Sequence, residues 1–163
     1  MFPELASAVA AAAAALLVFA GAAHTRGRTP LRSVLRVQAL LPRRMWGPVA
    51  AVLGPVELLV GTTVLVTLLL APPVFGVAAA IQGAVYSLFT IYLWILRSRR
   101  SSAPCGCFGG DEPVTWFVVT RSAVAALGSF AVTAELPLLA RALCLAGGFV
   151  LAMIAWLYPM LTR

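Results

Sequence analysis

The chain has 163 residues, of which 62% are apolar and only 10% are charged, whereas a soluble domain carries about 25% charged residues. These values exclude a water-soluble globular protein. The net charge is +7, and all twelve basic residues are arginines. The arginines lie between apolar runs, where the positive-inside rule of membrane insertion and attraction to anionic lipid account for them, so we predict no nucleic-acid partner.

Apolar runs long enough to cross a bilayer recur along almost the whole chain, since a spanning helix takes about 20 residues. We place them at about residues 5–23, 46–70, 74–96, 114–134 and 138–158. The sequence therefore predicts an all-α protein, a polytopic transmembrane helical bundle of about five spans that forms a single membrane domain over residues 1–163. No basic residue precedes the first run and many arginines follow it, so we interpret it as a retained helix rather than a cleaved signal peptide.

The connections between these spans carry local signals. Residues 24–45 alternate arginines with apolar residues, which predicts a short helix lying on the membrane surface. Ala71-Pro72-Pro73 predicts a tight turn between the second and third spans, because neither helix could continue through both prolines. Gln82 and Tyr86, four residues apart in the third span, predict interhelical hydrogen bonds.

An odd number of spans places the first connection, the third connection and the C-terminus on one face of the membrane. Ten of the twelve arginines then share that face, which predicts that it is cytoplasmic and that the protein crosses the plasma (inner) membrane several times. The tryptophans agree, because all of them fall at one interface, as an aromatic belt requires. They are Trp46, Trp94, Trp116 and Trp156.

Glu57 lies about ten residues into the second span, roughly 15 Å deep, where an unpaired carboxylate is costly. Gly54, Glu57 and Gly61 share one helical face, and the small glycines allow another helix to approach there. Arg121 lies roughly 10 Å deep in the fourth span, so one hypothesis is a buried Glu57–Arg121 ion pair that fixes helix register or belongs to a proton path. In the alternative, Arg121 extends to the interface and Glu57 is protonated. For the single histidine, His24, at the end of the first span, we expect a structural or loop role rather than metal ligation.

The loop at residues 101–113 holds the sharpest functional signal, Cys105-Gly106-Cys107. Two thiols separated by one flexible glycine can close a small, strained disulfide ring, and strained disulfides exchange readily with other thiols. Two other interpretations stay open: unreactive loop thiols, and half of a zinc site, which takes about four ligands where the chain offers few. Cys105 and Cys107 are the candidate catalytic pair, and no metal site is predicted. Cys144 lies in the outer part of the fifth span and is expected to remain a free thiol.

Together these features resemble the methylamine utilisation protein MauE family, which is related to DoxX-like membrane proteins. The residues that carry the resemblance are Glu57 in GPVELLVG, the CGCFGG motif at 105–110, and Val118-Val119-Thr120-Arg121. The resemblance covers about residues 5–130, and the CxCFG element is its most specific part. It implies an inner-membrane protein encoded with a thioredoxin-like partner, which assists maturation of an exported client, the disulfide-rich small subunit of methylamine dehydrogenase. On this analogy Cys105 and Cys107 are the redox pair.

An exported client conflicts with a cysteine loop on the cytoplasmic face. Three explanations are open: electrons are relayed across the membrane, the loop folds into the bundle, or the topology is inverted. Our first hypothesis is a membrane thiol–disulfide redox accessory protein without a bound cofactor, and whether a quinone takes part is beyond the sequence. The alternative is a non-enzymatic assembly or transport subunit in which the CxC loop is a docking element.

Overall fold

The structure is a computed structural model that describes residues 2–26, 31–106, 113–132 and 136–161. These residues form helices and their connections, which confirms the all-α fold class. In chain order the helices are α1 (Phe2–Arg26), α2 (Leu31–Gln38), a 3-10 turn (Arg43–Met45), α3 (Trp46–Leu70), α4 (Pro72–Arg99), α5 (Trp116–Phe130) and α6 (Leu138–Leu161).

Four of the described helices, α1, α3, α4 and α6, are long and apolar enough to cross a membrane. The fifth predicted span, at 114–134, corresponds to α5, which has only 15 residues and is therefore about 22 Å long. About five spans thus agrees with the structure, with α5 shorter than predicted. The apolar helices identify a membrane protein.

Helix α1 lies at the centre of the bundle, in contact with α3, α5 and α6. Its residues 10–17 are all buried, and six of these eight are alanines. Small side chains leave room for neighbouring helices to pack closely around this segment. Gln82 Nε2 donates to the Ala10 carbonyl at 3.0 Å, and the Tyr86 hydroxyl donates to that of Ala13 at 2.8 Å. The predicted interhelical hydrogen bonds therefore join α4 to α1.

The glycine face of α3 packs against α1. A Cβ atom on Gly61 would lie 2.6 Å from the Ala14 carbonyl oxygen, and one on Gly54 would lie 3.1 Å from the Cβ of His24. The close approach predicted for this face is confirmed, and α1 is the helix that makes it. Because the end of α1 meets the beginning of α3, the two helices are antiparallel.

The connections contain the turn and the short helix that the local signals predicted. Ala71 caps the end of α3 and Pro72 begins α4, at a helix position where the missing proline N–H costs nothing. Helix α2 lies inside the arginine-rich connection and buries Leu35 and Gln38 against the bundle. The remaining side of α2 stays exposed.

Alternation of the helices gathers the arginine-rich segments at one end of the bundle, which we call the basic end. The C-terminal ends of α1 and α4 meet the N-terminal ends of α3 and α5 there, and Arg97 of α4 lies 6.0 Å from the ring centre of Trp116 in α5. Its described arginines are Arg26, Arg32, Arg36, Arg43, Arg44, Arg97, Arg99 and Arg100. That the basic end faces the cytoplasm stays a prediction.

Candidate functional site at the cysteine loop

The cysteine loop is closed at its base. The structure describes residues 101–106 and 113–115 of this region. The Val114 N–H donates to the Ala103 carbonyl at 3.0 Å, and Pro104 pairs with Pro113 as an isolated antiparallel bridge. Ala103 and Val114 are buried in one cluster with residues of α4 and α5. The described residues at the two ends of the loop therefore form a fixed, apolar base.

The amide of Gln38 holds the backbone around the first cysteine. Its Nε2 donates to the carbonyls of Pro104 at 2.7 Å and Cys105 at 3.2 Å. The Tyr92 hydroxyl donates to Gln38 Oε1 at 2.6 Å, so the amide nitrogen is directed toward the loop. Gln38 is buried and Cys105 is half-buried. Through Gln38 and Tyr92, helices α2 and α4 thus fix the backbone of Cys105. The sulfur takes no part in these hydrogen bonds.

The spacer residue of the CGC motif requires glycine for two reasons. Gly106 has a φ of +74°, in the left-handed region that other residues rarely adopt. A Cβ atom at this position would also lie 2.7 Å from Cγ1 of Val34 in α2. Both the backbone conformation and the nearby Val34 disfavour a side chain at this position. The glycine therefore allows the loop to pack against α2, in addition to lowering the backbone cost of a small ring.

His24 bridges the loop and the buried carboxyl group of Glu57. Its Nδ1 lies 2.7 Å from Glu57 Oε2, and its Nε2 lies 3.0 Å from the Gly106 carbonyl oxygen. The side chains of His24 and Glu57 are only 7% and 4% exposed. The end of α1 thereby connects a carboxyl group inside the bundle to the residue between the two cysteines.

The two bonds of His24 define how many protons the pair holds. A carbonyl oxygen only accepts hydrogen bonds, so Nε2 carries a hydrogen and donates it to Gly106. The 2.7 Å contact on the other side requires one further proton between Nδ1 and Oε2, since two lone pairs would repel. That proton lies on the imidazole of an ion pair or on the carboxyl of a neutral pair. Both arrangements have no net charge, so the pair is compatible with burial.

The structure gives Glu57 a different partner from the predicted Arg121. Glu57 lies on the face of α3 that packs against α1, so His24 is within reach. Arg121 of α5 donates through Nη1 to the Ala155 carbonyl of α6 at 3.2 Å. Matching depth in two spans does not establish that their side chains face each other, and here they belong to different helix interfaces.

Sequence reasoning missed three residues of this site: His24, Gln38 and Tyr92. The sequence predicts only a structural or loop role for His24, although this histidine stands where the first span ends, near the beginning of the glycine face of α3. That proximity was the available signal. Gln38 and Tyr92 carried no signal, because their contacts depend on how the loop folds back onto the bundle.

Cys107 lies outside the described residues, so its place in the pair stays a prediction. Cys144 is buried in α6 and donates its S–H to the Glu4 carbonyl at 3.3 Å. Glu4 precedes His24 by about 30 Å of helix, so Cys144 lies toward the opposite end from the loop, as predicted. Within the described ranges, no cluster of three or more metal-ligating side chains is found.

Comparison with known proteins agrees with the resemblance seen in the sequence. A sequence model of the methylamine utilisation protein MauE family matches residues 3–154. The matched range contains His24, Glu57, Cys105 and Cys107. Searches of curated proteins and of solved structures found no match.

Proposed function

The chain belongs to the methylamine utilisation protein MauE family and is a membrane protein associated with methylamine utilisation, and from this premise we propose that it is a thiol–disulfide redox accessory protein. Cys105 and Cys107 form the redox pair in this proposal. They exchange with a thioredoxin-like partner and so support maturation of an exported client, such as the small subunit of methylamine dehydrogenase.

The observation that carries the proposal is the way in which the bundle holds the loop. Three successive carbonyls, those of Pro104, Cys105 and Gly106, accept hydrogen bonds from Gln38 or His24. Exchange requires a partner sulfur to approach along the axis of the sulfur–sulfur bond, so a loop of defined position favours the reaction. An incidental pair of loop thiols needs no such support.

The exchange itself conserves electrons. A thiolate of the reduced partner attacks one sulfur of the Cys105–Cys107 disulfide, and the other sulfur leaves as a thiolate. A second partner thiolate then attacks the mixed disulfide. The partner is oxidised by two electrons and the CGC motif is reduced by two electrons. The reverse sequence oxidises the motif, and no other oxidant or reductant is needed.

His24 and Glu57 support this chemistry from below the loop. In the ion-pair arrangement, the imidazolium lies directly against Gly106 and favours a thiolate nearby. In the neutral arrangement, the same proton lies on the buried carboxyl group. Movement of one proton over a 2.7 Å contact therefore changes the charge next to the loop without any movement of the helices.

The proposal places the loop on the cytoplasmic side, because the basic end carries eight described arginines. Since the client is exported, a cytoplasmic loop requires electrons to be relayed across the membrane. The assignment of Cys105 and Cys107 as the redox pair does not depend on which side the loop faces. The placement of the loop is tested separately by labelling in cells.

The redox assignment is tested by redox titration with mass-shift alkylation of the purified protein. A Cys144→Ser variant removes the third thiol and serves as background. We expect Cys105 and Cys107 to change together from two alkylated thiols to none as the potential becomes more oxidising. In this background, Cys107→Ser should trap a mixed disulfide between Cys105 and a thioredoxin-like protein.

The docking alternative predicts a different result. If both thiols remain alkylatable across the physiological range of potentials, and neither single cysteine variant alters maturation of the client in cells, the redox proposal is wrong. The held loop is then a docking element of an assembly subunit.

A further inference from the structure

A cleft of about 450 Å³ opens at the basic end between α2 and the beginning of α3. It is lined by Arg32 and Arg36 of α2, by Arg43 of the 3-10 turn and by Trp46. The three arginines are exposed, and nothing in the thiol chemistry proposed above uses them. The cleft is therefore a separate feature of the molecule.

The charges around this cleft favour an anion. Within the described part of the chain, the residues that line it are three arginines and one tryptophan, none of which carries a carboxylate. Of the described acidic residues, Glu57 is bonded to His24 inside the bundle, and Glu4 lies toward the opposite end near Cys144. Guanidinium groups match the oxygens of a phosphate in geometry and charge, and they bind it through paired hydrogen bonds.

The position of the cleft indicates how the phosphate is supplied. The Trp46 indole N–H donates to the Leu41 carbonyl at 2.9 Å, which fixes the ring at the edge of the cleft. Trp46 is also the first residue of α3, and tryptophans at the ends of spanning helices lie at headgroup depth. We propose that the cleft binds the phosphate of an anionic phospholipid headgroup, with Arg32, Arg36 and Arg43 as its ligands.

Such a lipid would bear on the cysteine loop through α2. The exposed side of this helix carries Arg32 and Arg36, while its buried side presents Gln38 to the carbonyl of Cys105. A lipid phosphate held by the arginines limits the movement of α2 and hence of the loop. This consequence rests on the proposed function, whereas lipid binding itself does not.

Native mass spectrometry of the purified protein tests the site with phosphatidylglycerol as the probe and phosphatidylcholine as the zwitterionic comparison. We expect preferential retention of phosphatidylglycerol, which Arg36→Gln and Arg43→Gln each weaken about tenfold, since one charge-assisted bond contributes about 1.5 kcal/mol. Arg99→Gln is the matched control, because Arg99 is an exposed arginine of the basic end that does not line the cleft. It should retain the lipid as the wild type does.

Three results would overturn the lipid site. Equal retention of the two lipids would show that the headgroup charge is not recognised. An equal loss in Arg36→Gln and Arg99→Gln would show diffuse attraction to surface charge instead of a site. If inorganic phosphate alone raises the melting temperature as much as phosphatidylglycerol does, the cleft takes free phosphate. Redox titration of the same variants keeps these outcomes distinct from failure of the thiol chemistry.

Discussion

Replacing Glu57 separates the contribution of its carboxyl group from that of the helices around it. Glu57→Leu keeps a side chain of similar size but leaves His24 Nδ1 without its partner at a site where the histidine side chain is 7% exposed. Glu57→Gln retains a donor, because the amide nitrogen can donate to Nδ1 while Nε2 still donates to Gly106. The glutamine variant removes only the transferable proton.

The size of the effect follows from burial. A buried polar group that loses its hydrogen-bond partner costs about 1–3 kcal/mol, which corresponds to a change of about 5- to 150-fold in the ratio of folded to unfolded protein. Glu57→Leu should lower the free energy of unfolding by this amount. Glu57→Gln should lie at least about 1 kcal/mol closer to the wild type.

The loop supplies a second measurement. Because His24 holds Gly106, a His24 ring that has lost its Glu57 partner should release the loop in Glu57→Leu. The alkylation rate of Cys105 should then rise about fivefold for each 1 kcal/mol by which the contact is weakened. Unfolding is measured by denaturant titration in mixed micelles, and alkylation by mass shift in native buffer. Leucine and glutamine variants with equal stability and unchanged alkylation of Cys105 would refute the assignment of His24 as the bridge.

Three other predictions follow from the described contacts. Gly61→Ala should force α1 and α3 apart and lower the melting temperature, because its Cβ would meet the Ala14 carbonyl oxygen at 2.6 Å. Gly76→Ala is the control: its Cβ would meet no atom within 4 Å beyond its own helix backbone, so the melting temperature should not fall. Gln38→Leu removes the donor to the Cys105 carbonyl and should increase the alkylation rate of this cysteine several-fold at unchanged helix content measured by circular dichroism. An impermeant maleimide should leave Cys105 unlabelled in intact cells and label it after permeabilisation; strong labelling from outside would invert the topology.

Much of the architecture was predictable because it depends on local composition. Long apolar runs separated by arginines and prolines determine where spanning helices begin and end. The turn at Ala71 and the glycine face at Gly54 and Gly61 were readable for the same reason, since each requires only the conformational or steric properties of its own residues. The length of α5 was overestimated, because an apolar run marks the extent of low polarity and not the points at which hydrogen bonding of the helix stops.

The hydrogen-bond partners of Glu57 and of the Cys105 backbone could not be predicted from local sequence. The sequence by itself determined that Glu57 needs a partner, that Cys105 and Cys107 can form a small ring, and that Cys144 belongs to another part of the chain. Only the tertiary structure decided that the partner of Glu57 is His24 and that the Cys105 backbone is held by Gln38. These contacts join residues 33 and 67 positions apart, so they depend on which helix faces which. Close packing around the buried small residues of α1 sets part of that arrangement.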